Sequence, residues 1–319
     1  MSKYILKRLL WMIPVVLGVL LIVFFISYIT PGDPVKTILG SNYTQEAYDA
    51  KTKELGLDKP FFYQYGKYVL DMVTKGDLGT SNKYRNGYPI AKIIAKKAPI
   101  SIEMGLLSEV IALAVGLPLG IAMAKSTRSR WKLWDKFGTV LIVIVQAVPS
   151  AVYHLLIQLY GSELFGVSML FDTDNWVTWI LPVFSLSLGN IVYYAMWLRR
   201  YMVDEANKDY IRLARAKGVP EGKISRVHIF RNAFVPLVQY IPNSILFTLM
   251  GSLYVESLYS IPGMGGLLVQ VIKIQDNTMV QALVVIYAAI SVVGLLLGDV
   301  LMALVDPRIS FTKKEGSRA

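Results

Sequence analysis

Four polar residues recur at every fourth position of an otherwise apolar run: Gln146, Ser150, His154 and Gln158. Amide, hydroxyl and imidazole groups at that spacing share one helix face over about 18 Å, at 1.5 Å per residue. Such a ladder can line a path for the amides and termini of a polar chain, or it can bond helices to one another. Ser244, Thr248, Gly251 and Ser252 fall at i, i+4, i+7 and i+8 and suit either lining or close packing. Asn190, Tyr193, Tyr194 and Trp197 offer an amide and aromatic surface for varied side chains, or an interfacial belt. Glu109 and Asp299 are acids within apolar stretches, where an ionised group costs about 2.5–3.5 kcal/mol, so Glu109 is expected to face the interior, paired or protonated.

Enzymatic chemistry has little to build on. His154 has no Gly-x-Ser-x-Gly nucleophile, and Ser162 lies at the end of its own helix. Asp299 follows Gly298, but Leu296 stands where a Gly-x-Gly-Asp pattern needs its first glycine. With no cysteine and two histidines, His154 and His228, neither a thiolate nor a histidine-rich metal site is expected. No G-x-x-x-x-G-K-[ST] loop occurs, so no nucleotide is bound by that route. Catalytic residues, metal ligands and a cofactor are therefore assigned to none of this chain.

The elements that position these residues follow from hydropathy. The 319 residues are 54% hydrophobic. Six runs reach the roughly 20 apolar residues that a helix needs to span hydrocarbon: 9–29, 100–124, 137–160, 177–198, 235–256 and 282–305. The first follows Lys3, Lys7 and Arg8 like a signal peptide, but it is long and precedes no small-x-small site, so an uncleaved anchor is expected. Lys and Arg crowd the N-terminus (three), the 125–136 loop (five), the 199–231 loop (nine) and the tail after 305 (four); the 161–176 loop has none and the 257–281 loop only Lys273. This asymmetry puts both termini in the cytoplasm. It also explains the +11 net charge as topology, which leaves no case for a nucleic-acid partner.

The organisation expected is residues 1–30 as cytoplasmic N-terminus and first span, and 31–98 as an extracytoplasmic cap. Residues 99–309 form a five-helix core that carries the cytoplasmic 199–231 loop, and 310–319 a cytoplasmic tail. No internal repeat is visible, which argues against an ion-coupled transporter with Glu109, Asp299 and His154 as ion sites. Any twofold symmetry must come from a second subunit.

The 199–231 loop has its own pattern. Asp209 can cap a helix from Tyr210, Ile211, Ala214 and Gly218 share a small or apolar face, and Lys208, Arg212 and Arg215 form a basic stripe. Gly218 can end the helix in a left-handed conformation and Pro220 can start the next, giving two short helices at a glycine elbow.

"DYIRLARAKG" (209–218) resembles the cytoplasmic loop of ABC importer permeases, in the form used by peptide-type systems. Their Glu-Ala-Ala-x-x-x-Gly pattern keeps Ala214 and Gly218 here, with Arg212 and Leu213 at its first two positions; these departures, and "IFRNAFVP" (229–236), are themselves similar to the oligopeptide/dipeptide branch. "LKRLLWMIPVVLGVLLIVFFISYITPGDPV" (6–35), "LGLDKPFFYQYGKYV" (55–69), "GDLGTS" (76–81), "SIEMGLLSEVIALAVGLPLGIAMA" (101–124), "ESLYSIPGMGGLLVQVI" (256–272) and "DPRI" (306–309) resemble the B-type permease subunits in the same order.

The resemblance implies an all-α membrane protein of six transmembrane helices with the ABC type I importer permease fold. It implies a coupling site at Asp209, Arg212, Ala214, Arg215, Ala216, Gly218 and Glu221, docked on ATP-hydrolysing subunits. It tips Ser244, Thr248 and Ser252 toward lining, and with the polar stripe Gln146, Ser150, His154 and Gln158 and with Asn190 they make up the expected translocation path. The partners implied are a second homologous permease subunit, two ATP-binding subunits holding ATP and magnesium, and an extracytoplasmic substrate-binding protein. The cargo implied is peptide, and the setting is the plasma (inner) membrane of a bacterium or archaeon. The same class also carries nickel chelates, glutathione and haem.

Overall fold

The computed structural model describes residues 2–30, 33–40, 42–249 and 253–305. Regular structure among them is helical, apart from one isolated bridge between Thr80 and Pro89. Helix α1 (Ser2–Ile29) exposes Leu10, Ile13, Ile22, Phe25 and Ile29, a surface suited to lipid.

Three short helices build the cap, and local sequence sets their ends. α2 (Pro34–Leu39) is capped by the Asp33 carboxylate, which accepts from the N–H groups of Val35 and Lys36. Thr44 caps α3 (Gln45–Leu55), and Gly76 closes α4 (Phe61–Lys75) at φ +64°. The Tyr65 hydroxyl donates to the Leu17 carbonyl at 2.9 Å, and Phe24 meets Phe61 edge-on at 5.5 Å, so α4 leans on α1.

The core begins with α5 (Ile90–Ser126), whose 37 residues extend about 56 Å, well beyond a bilayer's hydrocarbon. Its first turns belong with the cap, where Ile90 and Ile93 pack against Leu267, Val271, Met279 and Leu283. Next come α6 (Leu133–Ala147), α7 (Ser150–Phe165) and, after a 3-10 turn at Trp176–Trp179, α8 (Ile180–Ala206). Two short helices, α9 (Asp209–Ala216) and α10 (Glu221–Lys223), lead through a π-helical turn, Ile224–Phe230, into α11 (Arg231–Leu249). α12 (Leu253–Leu258), α13 (Met264–Lys273) and α14 (Asn277–Val305) complete the described chain.

Five helical stretches are long and apolar enough to span, and α6 with α7 makes a sixth only as a bent pair. The sequence predicts one continuous helix over 137–160; instead the axis turns by 106° between α6 and α7. Pro149 is the cause, since it lacks an N–H and pushes Val148 into extended backbone (φ −85°, ψ 127°).

Small residues set the helix spacing. A Cβ on Gly116 or Gly120 of α5 would lie 2.7 Å from the Ile191 carbonyl oxygen or 2.9 Å from that of Ala195, both on α8. On α14, a Cβ at Gly298 would lie 2.4 Å from the Gln239 carbonyl oxygen. Both pairs, 116/120 and 294/298, have the small-x-x-x-small form that lets membrane helices touch backbone to backbone.

Buried acids tie the outer turns and the helix ends. Asp276 is fully buried and accepts from the Ser81 hydroxyl at 2.6 Å, from the N–H groups of Lys83 and Tyr84 at 2.9 Å each, and from that of Asn82 at 3.1 Å. Glu256 accepts from the Ser101 hydroxyl at 2.7 Å and from the Gly266 N–H at 3.0 Å. A Cβ at Gly263 would lie 2.4 Å from the same carboxylate, which explains the glycine in "SIPGMGG". Asp299 pairs with Arg8 of α1 and accepts from Gln239 of α11 at 2.8 Å, so this intramembrane acid joins three helices.

Candidate functional site

The 209–223 stretch forms a compact elbow at the ends of α8 and α11. Helix α9 starts one residue earlier than the sequence suggests: extended Lys208 occupies the cap position, and Asp209 lies in the first turn, 3.5 Å from Arg212. The expected side-chain cap is not formed, yet an acid there still suits the positive end of the helix dipole. Gly218 adopts φ +74°, its N–H donates to the Arg215 carbonyl at 2.9 Å, and the Val219 N–H donates to that of Ala214 at 3.1 Å. Pro220 then opens α10. Arg215 donates from Nε to Glu221 at 2.5 Å, and Arg128 of the turn between α5 and α6 lies 3.8 Å from the same carboxylate.

The face expected to be shared by Ile211, Ala214 and Gly218 is divided. Ile211 is fully buried, in one cluster with Leu198, Met202, Ile224, Ile229 and Ala233. Ala214 and Arg215 are half-buried, whereas Arg212, Leu213, Ala216 and Gly218 are exposed. α9 is thus rooted by one isoleucine and presents a cationic outer surface.

The four-residue ladder of the third span does not survive the bend. Gln146 ends α6, its amide 3.5 Å from the Met196 sulfur, while Ser150 is exposed at the start of α7. His154 and Gln158 remain together on α7 and face protein. His154 Nδ1 lies 2.6 Å from the Ser185 hydroxyl, and the Gln158 amide donates to the carbonyls of Met169 and Leu258, each at 2.9 Å. These contacts bond α7 to α8, to α12 and to the 166–175 loop. Thr248 donates to the Ser244 carbonyl of its own helix at 2.7 Å; Gly251 and Ser252 lie outside the described residues, as does the closing 306–319.

Asn190 and Ser244 converge on Glu109, which is 2% exposed. Its carboxylate accepts from the Asn190 amide at 2.9 Å, the Ser244 hydroxyl at 2.6 Å and the Tyr194 hydroxyl. Residues of α5, α8 and α11 meet there, so the acid is interior and hydrogen-bonded, one of the states its sequence position allows. Tyr193 stacks on Tyr240 at 3.9 Å, and Arg200 lies over the Trp197 ring at 5.1 Å, as at an interfacial belt. Glu109→Ala is expected to lower stability in detergent by about 3 kcal/mol, because it strands buried donors that met a carboxylate. Glu109→Gln, which keeps an acceptor, is expected to lose much less; thermal unfolding of the two variants checks this.

Of three bonded residues near the elbow, Tyr210 and Asn232 lie inside "DYIRLARAKG" and "IFRNAFVP", where nothing marks them as partners, and Glu205 lies outside both. Asp276 was equally silent, although a lone acid in "IQDNT", between two apolar helices, is the signal that could have found it.

Two family descriptions cover the chain. "Binding-protein-dependent transport system inner membrane component" matches residues 116–311, and the N-terminal region of such membrane components matches 1–104. The chain belongs to this family, the permease subunits of ATP-binding-cassette importers, and is an integral inner membrane protein. It is 34% identical to the glutathione transport system permease protein GsiC of Salmonella paratyphi A, covering 98% of this chain and 100% of that one. It is 35% identical to the dipeptide transport system permease protein DppB of Lactococcus lactis subsp. cremoris, over 97% of this chain and 99% of that one. The oligopeptide transport system permease protein AppB of Bacillus subtilis is 32% identical over 98% of this chain and 100% of its own.

Proposed function

We propose that this chain is the non-catalytic membrane subunit of a peptide importer, with both termini in the cytoplasm. A second, homologous permease subunit completes the pathway. Two ATP-binding subunits hold ATP and magnesium, and an extracytoplasmic protein delivers cargo to the cap. The cargo reading is supported by relatives named for dipeptides and oligopeptides, while those named for glutathione match the alternative cargo of the same class. The orientation rests on the Lys and Arg asymmetry of the loops.

The observation that carries the reading is the elbow: a cationic helix, rooted by Ile211 and exposed at Arg212, Leu213 and Ala216, joins two spans at the basic side of the bundle. Docked against an ATP-hydrolysing subunit through Asp209, Arg212, Ala214, Arg215, Ala216, Gly218 and Glu221, it receives the movement that opens and closes the bundle. This is a rigid-body transition driven from outside the membrane. The pathway in this reading runs alongside α8 and α11, the helices that carry Asn190, Ser244 and Thr248.

Gly218→Val tests it sharply. Nothing in this chain lies within 4 Å of a Cβ there, so within the subunit the substitution acts through the left-handed backbone, at a cost of about 1–2 kcal/mol. In the reconstituted importer, Gly218→Val and Arg215→Glu are expected to abolish ATP-driven uptake of peptides of graded length while membrane insertion persists. Gly218→Asn, which tolerates that conformation, is expected to retain more uptake. Normal uptake in both disruptive variants overturns the reading.

A further inference from the structure

We propose that Glu205, Tyr210 and Asn232 form the joint through which movement of α9 enters the membrane bundle; this rests on the reading of α9 as the docking helix. Three elements meet there. Glu205, near the end of α8, is 8% exposed, and one of its oxygens lies 2.7 Å from Lys208 Nζ. Its other oxygen accepts from the Tyr210 hydroxyl, in the first turn of α9, and from the Asn232 amide at 3.3 Å. Asn232, at the start of α11, also donates to the Tyr210 oxygen at 2.8 Å and to the His228 carbonyl at 2.9 Å.

The joint has a counterpart deeper in the bundle. Glu109 binds Asn190 and Tyr194 of α8 and Ser244 of α11. Along α8, Asn190 and Glu205 are fifteen residues apart, about 22 Å; along α11, Asn232 and Ser244 are twelve apart, about 18 Å. The two spans are therefore tied at two levels, and a push on one end reaches both. They differ in stiffness between the ties. α8 has no proline there, whereas α11 contains Pro236 and Pro242, each of which removes a backbone hydrogen bond. A push delivered at the joint swings α8 as a rod and bends α11 against the fixed Glu109 tie. The π-helical turn at Ile224–Phe230 ends beside the joint, a wider coil of the kind found where helices serve function.

The test uses the complete importer in liposomes and a labelled peptide that the unmodified importer carries. It follows uptake, ATP hydrolysis and retention of the ATP-hydrolysing subunits on purification. Tyr210→Phe and Asn232→Ala are each expected to keep those subunits and hydrolysis while lowering peptide moved per ATP about tenfold, the scale of one hydrogen bond to a charged group. The double variant is expected to be no worse than either single one, since both break one unit. Glu205→Gln, which still accepts from Tyr210, is expected to lose less. Unchanged peptide per ATP in both single variants, with subunits retained, overturns the joint and leaves the docking reading standing. Loss of the subunits together with hydrolysis also overturns it, since the trio would then belong to the docking surface. Normal coupling in both Gly218→Val and Arg215→Glu would remove the docking reading itself.

Discussion

Asp276→Ala is expected to loosen the cap on the bundle and to lower stability in detergent by about 3 kcal/mol or more. The carboxylate fills a nest made by the N–H groups of Asn82, Lys83 and Tyr84 and is closed over by the Ser81 hydroxyl. Removing it strands those donors in a buried site and leaves the bond from the Asn82 amide to the Thr278 hydroxyl, at 2.7 Å, as a polar tie between the 77–89 turn and the start of α14. Proteolysis of that turn should accelerate in the variant, and thermal unfolding should begin earlier. Asp276→Asn, with a single acceptor oxygen, should fall between the two. Acid reads the same tie. Burial pushes the Asp276 carboxyl up, but the Ser81 hydroxyl and the backbone N–H groups of Tyr84, Lys83 and Asn82 outweigh it and hold the pKa below the ordinary value. A depressed carboxylate stabilises fully above its unfolded pKa of about 4 and loses that contribution as pH falls through the lower folded value. Resistance of the turn to a protease active in acid is therefore expected to persist from pH 7 to about 4, and to fail only below that. The alanine variant should show no such acid step.

Gly298→Ala is expected to be more damaging than Gly294→Ala, where the nearest atom is the turnable end of Leu246 at 2.9 Å. The new Cβ at 298 would sit 2.4 Å from the Gln239 carbonyl oxygen, and a backbone atom cannot turn aside as a side chain can. α11 and α14 must part, which also strains the 2.8 Å bond from Gln239 to Asp299. Overpacking of this kind costs about 1–3 kcal/mol, and the lost bond about 1.5 kcal/mol more. Gly18→Ala on α1, where nothing lies within 4 Å of the added carbon, is the matched control and should be silent. Thermal unfolding of both variants in the same detergent decides it.

Five of the spans and the elbow were legible because each has a local cause. Twenty apolar residues require a helix in lipid, and a glycine followed by Val-Pro ends one. The ladder at Gln146, Ser150, His154 and Gln158 was misleading for an equally local reason: its period presumes an unbroken helix, and Pro149 sits inside it. Asp209 was one residue from its expected place because helix ends depend on which neighbour turns extended first. The clusters at Glu109, Asp276 and Glu205 were not legible, since their partners lie 81, 195 and 27 residues away in Asn190, Ser81 and Asn232. Only packing brings such groups together.

The knee between α6 and α7 imposes a demand on its surroundings. At Val148–Pro149 the helical ladder is broken midway along what would otherwise be one crossing, and Ala147, Pro149 and Ser150 lie at the chain's own surface. Carbonyls released at such a corner cannot be left facing hydrocarbon tails, where each costs several kcal/mol. This flank must therefore border water or another polypeptide, and lipid can wet only the remaining sides.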